Sequence, residues 1–389
     1  MTDRDGAAAR STRLYSLDAL RGLTVAAMVL VNNPGDWSHV YAPLLHAAWN
    51  GWTFTDTIFP AFLFIAGVSM VISVQRSLAS NSRPAVLRRL AQRALIIIAI
   101  GFALNLVPSF DFATVRWPGV LQRIGLCILI AAPMVLWLGG RGLVAMAVLL
   151  MALYSALMLW VPVPDADGVL HRGALEAGRD TGAFVDRWLM SGHLWAHSKT
   201  WDPEGLLSTL PAVATLLFGA LAGRLLRQAP LTARQTFMLA LAGVAGLALG
   251  LLLDQVLMPI NKSLWTPSYA LFMSGLTAIA LAVCYWLADG TGHAALRNGV
   301  RALLLPGVMF GVNALAIFAL SGLVVRVLGA VKIATAAGSV VTPLGWAMDQ
   351  IRRLPLDAND ASLLHAVLFL LAMFIVAWFM WRKQIIIKV

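Results

Sequence analysis

Apolar segments of membrane-spanning length alternate with short polar connections along almost the whole chain. A transmembrane helix needs about 20 mostly apolar residues, because the hydrocarbon core of a bilayer is about 30 Å thick. A helix also pairs its backbone polar groups within the segment, as lipid requires. Ten segments come close to this length: 15–32, 54–75, 89–107, 118–138, 142–161, 206–226, 235–257, 267–288, 303–328 and 362–382. The pattern predicts an all-α, polytopic membrane protein with about ten transmembrane helices.

The composition supports this class and excludes others. Of the 389 residues, 60% are hydrophobic and 12% are charged, whereas a soluble domain has about 25% charged residues. The net charge of +11 would suggest nucleic acid as a partner of a soluble protein. Here the basic residues cluster in alternate connections, so membrane orientation explains the charge and no nucleic-acid partner is expected. Cys127 and Cys284 lie in apolar segments, which indicates neither a disulfide framework nor a thiolate metal site.

The distribution of Lys and Arg predicts the orientation. The connection 33–53 contains no Lys or Arg, whereas the next connection and its flanks contain Arg76, Arg83, Arg88, Arg89 and Arg93. Because cytoplasmic connections carry an excess of basic residues, both termini are predicted to be cytoplasmic. The external connections are then 33–53, 162–205 and 329–361. Residues 1–14 are a short polar tail without the pattern of a cleavable signal, and residues 15–389 form one transmembrane domain.

The connection 33–53 ends in a cluster of polar and aromatic residues that a lipid-facing loop would not need. His46, Trp49, Asn50 and Trp52 occur within seven residues, and Asp56 follows. Histidine has an unperturbed pKa of about 6.5, so it can accept and return a proton near neutral pH. Asp56 can orient the imidazole if the chain folds back. Trp49 is a candidate to stack on a sugar ring, whereas Trp52 fits an interfacial aromatic belt.

Polar residues within the apolar segments are further candidates, because ionisable groups in a membrane are costly and usually functional. Arg123 and the adjacent Gln122 lie about one turn inside the external end of their span; an arginine that extends to the interface is the alternative. Asn32 ends the first span close to the His46 connection. Asn313 lies within the ninth span, where it either bridges helices or contacts substrate.

Other polar residues have structural explanations of equal or greater weight. Asp18 and Arg21 are three residues apart on one helical face, so they form a local ion pair or Arg21 holds a phosphorylated ligand. The Asp202-Pro203 pair predicts the start of a helix. His193 and His197 are four apart but have no acidic third ligand, so no metal site is expected.

At these residues the sequence resembles the family of transmembrane acetyltransferases typified by the heparan-alpha-glucosaminide N-acetyltransferase of lysosomes. The matching segments occur in the family's order and cover essentially the whole chain. They are LDALRG at 17–22, VN at 31–32, HAAWNGWTFTDTIFPAFLFIAG at 46–67, GVLQRIG at 119–125, VDRWLMSGHLW at 185–195, DPEGLLSTL at 202–210, LWTPSYAL at 264–271 and WRKQIIIKV at 381–389. Each segment alone is a weak signal, but together they are specific.

The resemblance implies transfer of an acetyl group from cytoplasmic acetyl-CoA to a glucosamine-type amino sugar on the outer side. Acetyl-CoA is then a co-substrate, and no permanently bound cofactor is expected. The family's essential histidine matches His46, an asparagine near its site matches Asn32, and its LQR arginine matches Arg123. The chain lacks the lysosomal enzyme's amino-terminal luminal domain, and its 162–205 connection is shorter and has no cysteine. A bacterial envelope glycan at the inner membrane is therefore the expected acceptor, and a homodimer is plausible by resemblance.

These expectations assign roles to three sets of residues. The catalytic candidates are His46, Asn32 and Asp56, with His46 as general base or acetyl carrier and Asn32 as donor to the oxyanion. The substrate-binding candidates are Arg123, Gln122, Trp49, Asn50 and Asn313. The phosphates of acetyl-CoA need cationic partners at the inner face. The candidates for this role are Arg21, Arg88, Arg89, Arg93, Arg382 and Lys383.

Three other functions stay open from the sequence. A secondary transporter of a sugar or anionic metabolite would also use intramembrane charges, although no pair of interrupted spans in matching halves is evident. A structural or sensory membrane protein would tolerate the loss of His46. An O-acyltransferase acting on an envelope glycan differs only in its acceptor.

Overall fold

The computed structural model describes residues 14–227, 233–334 and 340–387, and this part of the chain is almost entirely helical. The predicted tail 1–14 lies outside these residues except for Leu14. The helices are α1 (Tyr15–Val31), α2 (Phe54–Leu78), α3 (Arg83–Leu106), α4 (Val120–Trp137), α5 (Gly140–Trp160), α6 (Thr181–Met190), α7 (Thr209–Arg227), α8 (Ala233–Val256), α9 (Pro267–Tyr285), α10 (Ala294–Val312), α11 (Ala314–Ala330), α12 (Pro343–Ile351) and α13 (Ala358–Arg382). Two short antiparallel ribbons pair β1 (Pro162–Pro164) with β2 (Leu170–Arg172) and β3 (Ile333–Ala334) with β4 (Val340–Val341).

The prediction of an all-α polytopic membrane protein is confirmed. Among the described residues, eight helices are long and apolar enough to cross a membrane, or nine if the bent pair α10–α11 counts as one span. Helix α1 has 17 residues, slightly fewer than the roughly 20 of a typical span. It packs against α2, α9, α10, α11 and α13. With α1 included, the number of spans agrees with the ten that the hydrophobic pattern predicts.

The ninth span differs from its prediction, because residues 303–328 do not form one continuous helix. Helices α10 and α11 meet at Asn313 with an angle of 71°. Asn313 has non-helical backbone angles, and its side-chain amide pairs with the backbone of the carboxyl-terminal tail. Helix α10 also lies directly against α1: a Cβ added to Gly22 would be 1.7 Å from the Gly307 carbonyl oxygen. Glycine at this contact allows the two backbones to approach.

Successive spans alternate in direction, so the connections gather at two ends of the bundle. One end, here called the His46 end, carries residues 32–53, 107–119, 161–208 and 257–266. The other, here called the basic end, carries the start of α1 and the α2–α3 connection. Helices α2, α4 and α7 have the largest share of buried residues among the spans, whereas α3, α8 and α13 have the smallest. Large apolar side chains such as Leu95, Leu249 and Leu371 are exposed on these outer helices, as expected for contact with lipid.

Candidate active site

The first turn of α2 places a carboxylate against the His46 ring. Asp56 Oδ2 accepts hydrogen bonds from the backbone N–H groups of Thr53 and Ala47, each at 3.0 Å. The Thr53–Asp56 pair is a capping box, which fixes the start of the helix. Asp56 Oδ1 lies 2.6 Å from His46 Nδ1. The chain therefore folds back between residues 46 and 56. Asp56 contacts the His46 imidazole, a contact that the sequence alone could not establish.

This contact determines which nitrogen of His46 is available for chemistry. The Asp56 side chain is fully buried, whereas 49% of the His46 side chain is exposed. A carboxylate bound to Nδ1 stabilises the tautomer in which Nδ1 carries the proton. The lone pair of Nε2 is then free, and a base or nucleophile at this position faces the exposed side of the loop.

Lys262, which the sequence patterns do not single out, also contacts His46. It lies in the 257–266 connection, and its Nζ is 3.2 Å from Nδ1 and 3.1 Å from Nε2 of His46. The Gly51 N–H donates to the Ile260 carbonyl oxygen at 2.7 Å, and Asn261 donates to the Asn50 side chain at 3.1 Å. Asn50 thus joins two loops of the site. One available signal for Lys262 was a lysine in an external connection, where positive charge is uncommon.

A buried ion cluster lies next to these loops. The Arg116 guanidinium donates to both carboxylate oxygens of Asp202, at 2.8 and 2.5 Å, and to Glu204 at 2.5 Å. These carboxylates raise the pKa of Arg116 despite its burial, which acts in the opposite direction. Burial alone would raise the pKa of Glu204, but the cations Arg116 and Lys262 lower it. The prediction that Asp202 starts a helix is wrong, because the residue forms this ion pair and α7 begins only at Thr209.

Arg123 is buried and does not extend to the membrane interface. Its Nη2 donates to the Gly205 carbonyl oxygen at 2.8 Å and to Ser208 Oγ at 2.5 Å. Its guanidinium carbon lies 5.3 Å from the centroid of the Trp265 ring. Within the described part of the chain, Arg123 Nε and Nη1 and Gln122 Nε2 are buried without a hydrogen-bond partner. Buried donors without partners are costly, so these groups are candidates for a contact with a ligand oxygen.

The remaining site residues predicted at the His46 end occupy its periphery. Trp49 donates its indole N–H to the Leu175 carbonyl oxygen at 2.8 Å and packs edge-on against Trp201. Asn32 directly follows α1 and is exposed. Its side chain has no hydrogen-bond partner among the described residues. Trp52 is also exposed and contacts Phe272, as an interfacial residue would.

Asn313 lies away from the other substrate-binding candidates. Its Nδ2 donates to the Ile385 carbonyl oxygen at 2.8 Å, and its Oδ1 accepts from the Ile387 N–H at 2.9 Å. Asn313 therefore ties the carboxyl-terminal tail to the kink between α10 and α11. This arrangement does not bring it together with Arg123 and Gln122 at the His46 end.

A cavity of about 110 Å³ lies between α1, α2, α3, α4 and the α10–α11 kink. Its polar lining includes Arg21, Arg93 and Asn313, and apolar side chains such as Phe62 form the rest. Phe62 is eight residues after the start of α2, which is about 12 Å into the bundle from the His46 end. The cavity therefore extends from the arginines near the basic end towards the middle of the membrane domain.

The structure separates the six candidate phosphate ligands into two groups. Arg21 and Arg93 line the cavity, and Arg21 also forms the predicted ion pair with Asp18 at 2.8 Å. The other candidates are exposed and do not line the cavity. They are Arg88, Arg89, Arg382 and Lys383.

Comparison with known proteins identifies a family for this constellation. Residues 13–245 match the family described as "Heparan-alpha-glucosaminide N-acetyltransferase, catalytic". Human heparan-alpha-glucosaminide N-acetyltransferase is 28% identical over 331 residues, covering 72% of this chain and 49% of the human protein. The mouse protein of that name is 26% identical over 333 residues, covering 72% and 50%. The chain thus spans about half the length of these relatives, and Lys262 lies outside the region that matches the family.

Proposed function

Since this chain belongs to the heparan-alpha-glucosaminide N-acetyltransferase catalytic family, we propose that it is a membrane acetyltransferase. In this proposal it transfers an acetyl group from acetyl-CoA to the amine of a glucosamine-type sugar. The observation that carries the proposal is the His46–Asp56 pair, 2.6 Å apart, with Nε2 of His46 left free at an exposed surface. Such a pair is the usual arrangement of a base whose orientation is fixed by a second residue.

The pair supports a direct transfer whose atoms balance. The amine nitrogen attacks the thioester carbonyl carbon, a C–N bond forms, and the carbonyl electron pair moves to oxygen. His46 Nε2 removes a proton from the attacking nitrogen, an effect worth about 10²–10⁴-fold in rate. The carbonyl then re-forms as the C–S bond breaks, and the leaving thiolate takes the proton from His46. The products are the N-acetyl sugar and free CoA.

The cavity at the basic end supports binding of the donor from the cytoplasm. Acetyl-CoA carries phosphates, for which Arg21 and Arg93 offer charge-assisted hydrogen bonds. The cavity leads from these arginines to the middle of the bundle, so the pantetheine arm can carry the thioester towards His46. Arg123 Nε and Nη1 offer donors for a carbonyl of the arm. The excess of basic residues at this end supports a cytoplasmic location for it.

The acceptor then approaches from the other side of the membrane. The relatives are named for a glucosaminide acceptor. The acceptor proposed for this chain shares an amine with it, and His46 would remove a proton from that amine. We assign an amino sugar or an envelope glycan to this chain, in a bacterial inner membrane. A transporter is less well supported, because the described residues contain one bent helix pair and a matching pair in the other half is the usual mark of a transport site.

The experiment that tests the function uses purified protein, radiolabelled acetyl-CoA and glucosamine. His46→Ala removes the proposed base, and His39→Ala is the matched control, because His39 forms a His–Asp pair with Asp36 in the same loop. We expect label in the sugar with wild type and His39→Ala but not with His46→Ala. Equal transfer by His46→Ala would contradict the assigned base.

Two further outcomes separate the alternatives. Acetyl-CoA binding without transfer to glucosamine would direct the assay to hydroxyl acceptors on envelope glycans. Failure to bind acetyl-CoA would remove the proposal and favour the transporter, which sugar uptake into proteoliposomes would then detect. A burst of CoA release before the acceptor is added would indicate an acetyl group carried on His46, whereas direct transfer gives none.

A further inference from the structure

The two distances from Lys262 to His46 define where its ammonium group lies. Nζ is nearly equidistant from Nδ1 and Nε2, at 3.2 and 3.1 Å. An atom in the ring plane with these distances would collide with Cε1, which lies between the two nitrogens. Nζ therefore lies over the face of the imidazole. The lone pair of Nε2 is in the ring plane, so Lys262 leaves it open.

The backbone around Lys262 is fixed before any ligand binds. The Trp265 N–H donates to the Lys262 carbonyl oxygen at 3.0 Å, and Asn261 Oδ1 accepts from the Leu264 N–H at 2.9 Å. Asp254 Oδ1 accepts from the Ile260 N–H at 2.6 Å. Together with the bonds to Gly51 and Asn50 described above, these contacts hold the loop against the His46 loop. Such fixation is what a group that acts on a transition state requires.

Charged groups from several elements surround the Lys262 ammonium. Burial lowers the pKa of Lys262, and Arg123 of α4 and Arg116 of the connection before α4 act in the same direction. Glu204, from the connection before α7, and Asp56 of α2 oppose this effect. Two carboxylates and two guanidinium groups thus act on the Lys262 amino group, which contacts the two ring nitrogens of His46, beside the position where the acceptor amine would bind.

We propose that Lys262 is a catalytic residue that donates a hydrogen bond to the thioester carbonyl oxygen as negative charge develops on it. The inference rests on the proposed acetyl transfer. When the amine attacks and the C–N bond forms, the carbonyl electron pair moves to oxygen, and an ammonium over the His46 ring stabilises that charge. When the C–S bond breaks, the charge leaves with the thiolate, which is then protonated from His46. Lys262 keeps its proton throughout.

Lys262 would thus take the role of hydrogen-bond donor to the oxyanion, which the sequence predicts for Asn32. The Asn32 side chain is exposed and has no partner among the described residues, so nothing holds it for catalysis. Lys262 is held by its loop, and its Nζ is in contact with the base. Preorganised donors of this kind contribute about 10²–10³-fold to the rate, because they need no reorganisation during the reaction.

The test compares Lys262→Met and Lys262→Gln with Lys199→Met, which removes an exposed lysine of another connection at the same end. We expect the Lys262 variants to lower kcat by about 10²–10³-fold, with acetyl-CoA binding unchanged and Lys199→Met like wild type. Because this hydrogen bond forms only as charge develops on the carbonyl oxygen, we expect kcat and kcat/KM to fall equally and KM to stay unchanged in both Lys262 variants.

A purely structural Lys262 would lower the yield or the Tm but would not lower kcat and kcat/KM equally with acetyl-CoA binding intact. Two variants keep the test decisive, because Lys262→Gln retains a polar side chain if Lys262→Met fails to fold. A kcat within twofold of the wild-type value in either folded Lys262 variant would overturn the inference. Absence of transfer by wild type to every amine tested would instead overturn the proposed function on which it rests.

Discussion

The site at the His46 end and the cavity at the basic end differ in how their charged side chains are paired. At the His46 end, Asp56 is bound to His46, and Arg116 is bound to Asp202 and Glu204. At the basic end, Arg93 lines a cavity and makes no ion pair with the described residues. Groups that perform chemistry need fixed geometry, which paired charges and backbone hydrogen bonds supply. An anionic ligand that enters and leaves can itself supply the charge opposite Arg93, whereas Arg21 in the same cavity is already paired with Asp18.

The largest effect should come from removing the Asp56 carboxylate at the His46 end. In Asp56→Asn the amide can donate to Nδ1 of His46, which moves the ring proton to Nε2 and removes the base. We expect kcat to fall by about 10²–10⁴-fold in the acetyl-transfer assay, with acetyl-CoA binding retained. Asp36→Asn is the matched control, since Asp36 forms the other His–Asp pair of the loop. Unchanged kcat in Asp56→Asn would show that the paired carboxylate does not support catalysis.

An intermediate effect should come from removing the Arg93 charge at the basic end. Arg93→Gln removes a cavity cation, and a hydrogen bond to a charged group contributes about 1.5–3 kcal/mol. We expect acetyl-CoA affinity to fall by about 10–100-fold, with little change in kcat at saturation. Arg88→Gln is the control, because Arg88 is exposed on the same helix outside the cavity. Calorimetric titration with acetyl-CoA at two salt concentrations measures the affinity of both variants. Equal losses in the two variants would mean that the net charge of the helix matters more than the cavity.

The smallest effect concerns Asp186, a buried carboxyl of the His46 end. Burial raises its pKa to about 7, and nearby Asp202 adds to this, although the Leu206 N–H opposes it. Between pH values of about 4 and 7 the folded protein keeps a proton that the unfolded chain releases, so Asp186 makes stability fall as pH rises through this window.

The measurement for Asp186 is the Tm in detergent at pH 5 and pH 8. We expect Asp186→Asn to reduce the fall in Tm across this range by about 2–4 °C, because the amide does not titrate. Asp360→Asn is the control, since Asp360 is exposed at the same end. An identical fall in wild type and Asp186→Asn would show that other groups control the pH dependence.

Much of the site could be predicted because it lies close in sequence. His46 and Asp56 are ten residues apart, and the Thr53–Asp56 capping box is a local pattern that fixes both the start of α2 and the carboxylate. Lys262 could not be paired with His46 in this way, because 216 residues separate them. The contacts of Asn313 could not be predicted for the same reason: its partners Ile385 and Ile387 lie more than 70 residues along the chain.

The sequence by itself determined the class and most of the spans, and it predicted the His46–Asp56 part of the candidate site. Lipid excludes unpaired backbone groups and charges, so apolar length and the distribution of arginines carry information without any long-range contact. Only the tertiary structure decided that α10 and α11 bend at Asn313, that Arg93 lines a cavity while Arg88 does not, and that Lys262 lies over the His46 ring. These features depend on which helices become neighbours. Helix packing sets that choice through contacts such as Gly22 against Gly307, and the hydrophobic pattern does not encode it.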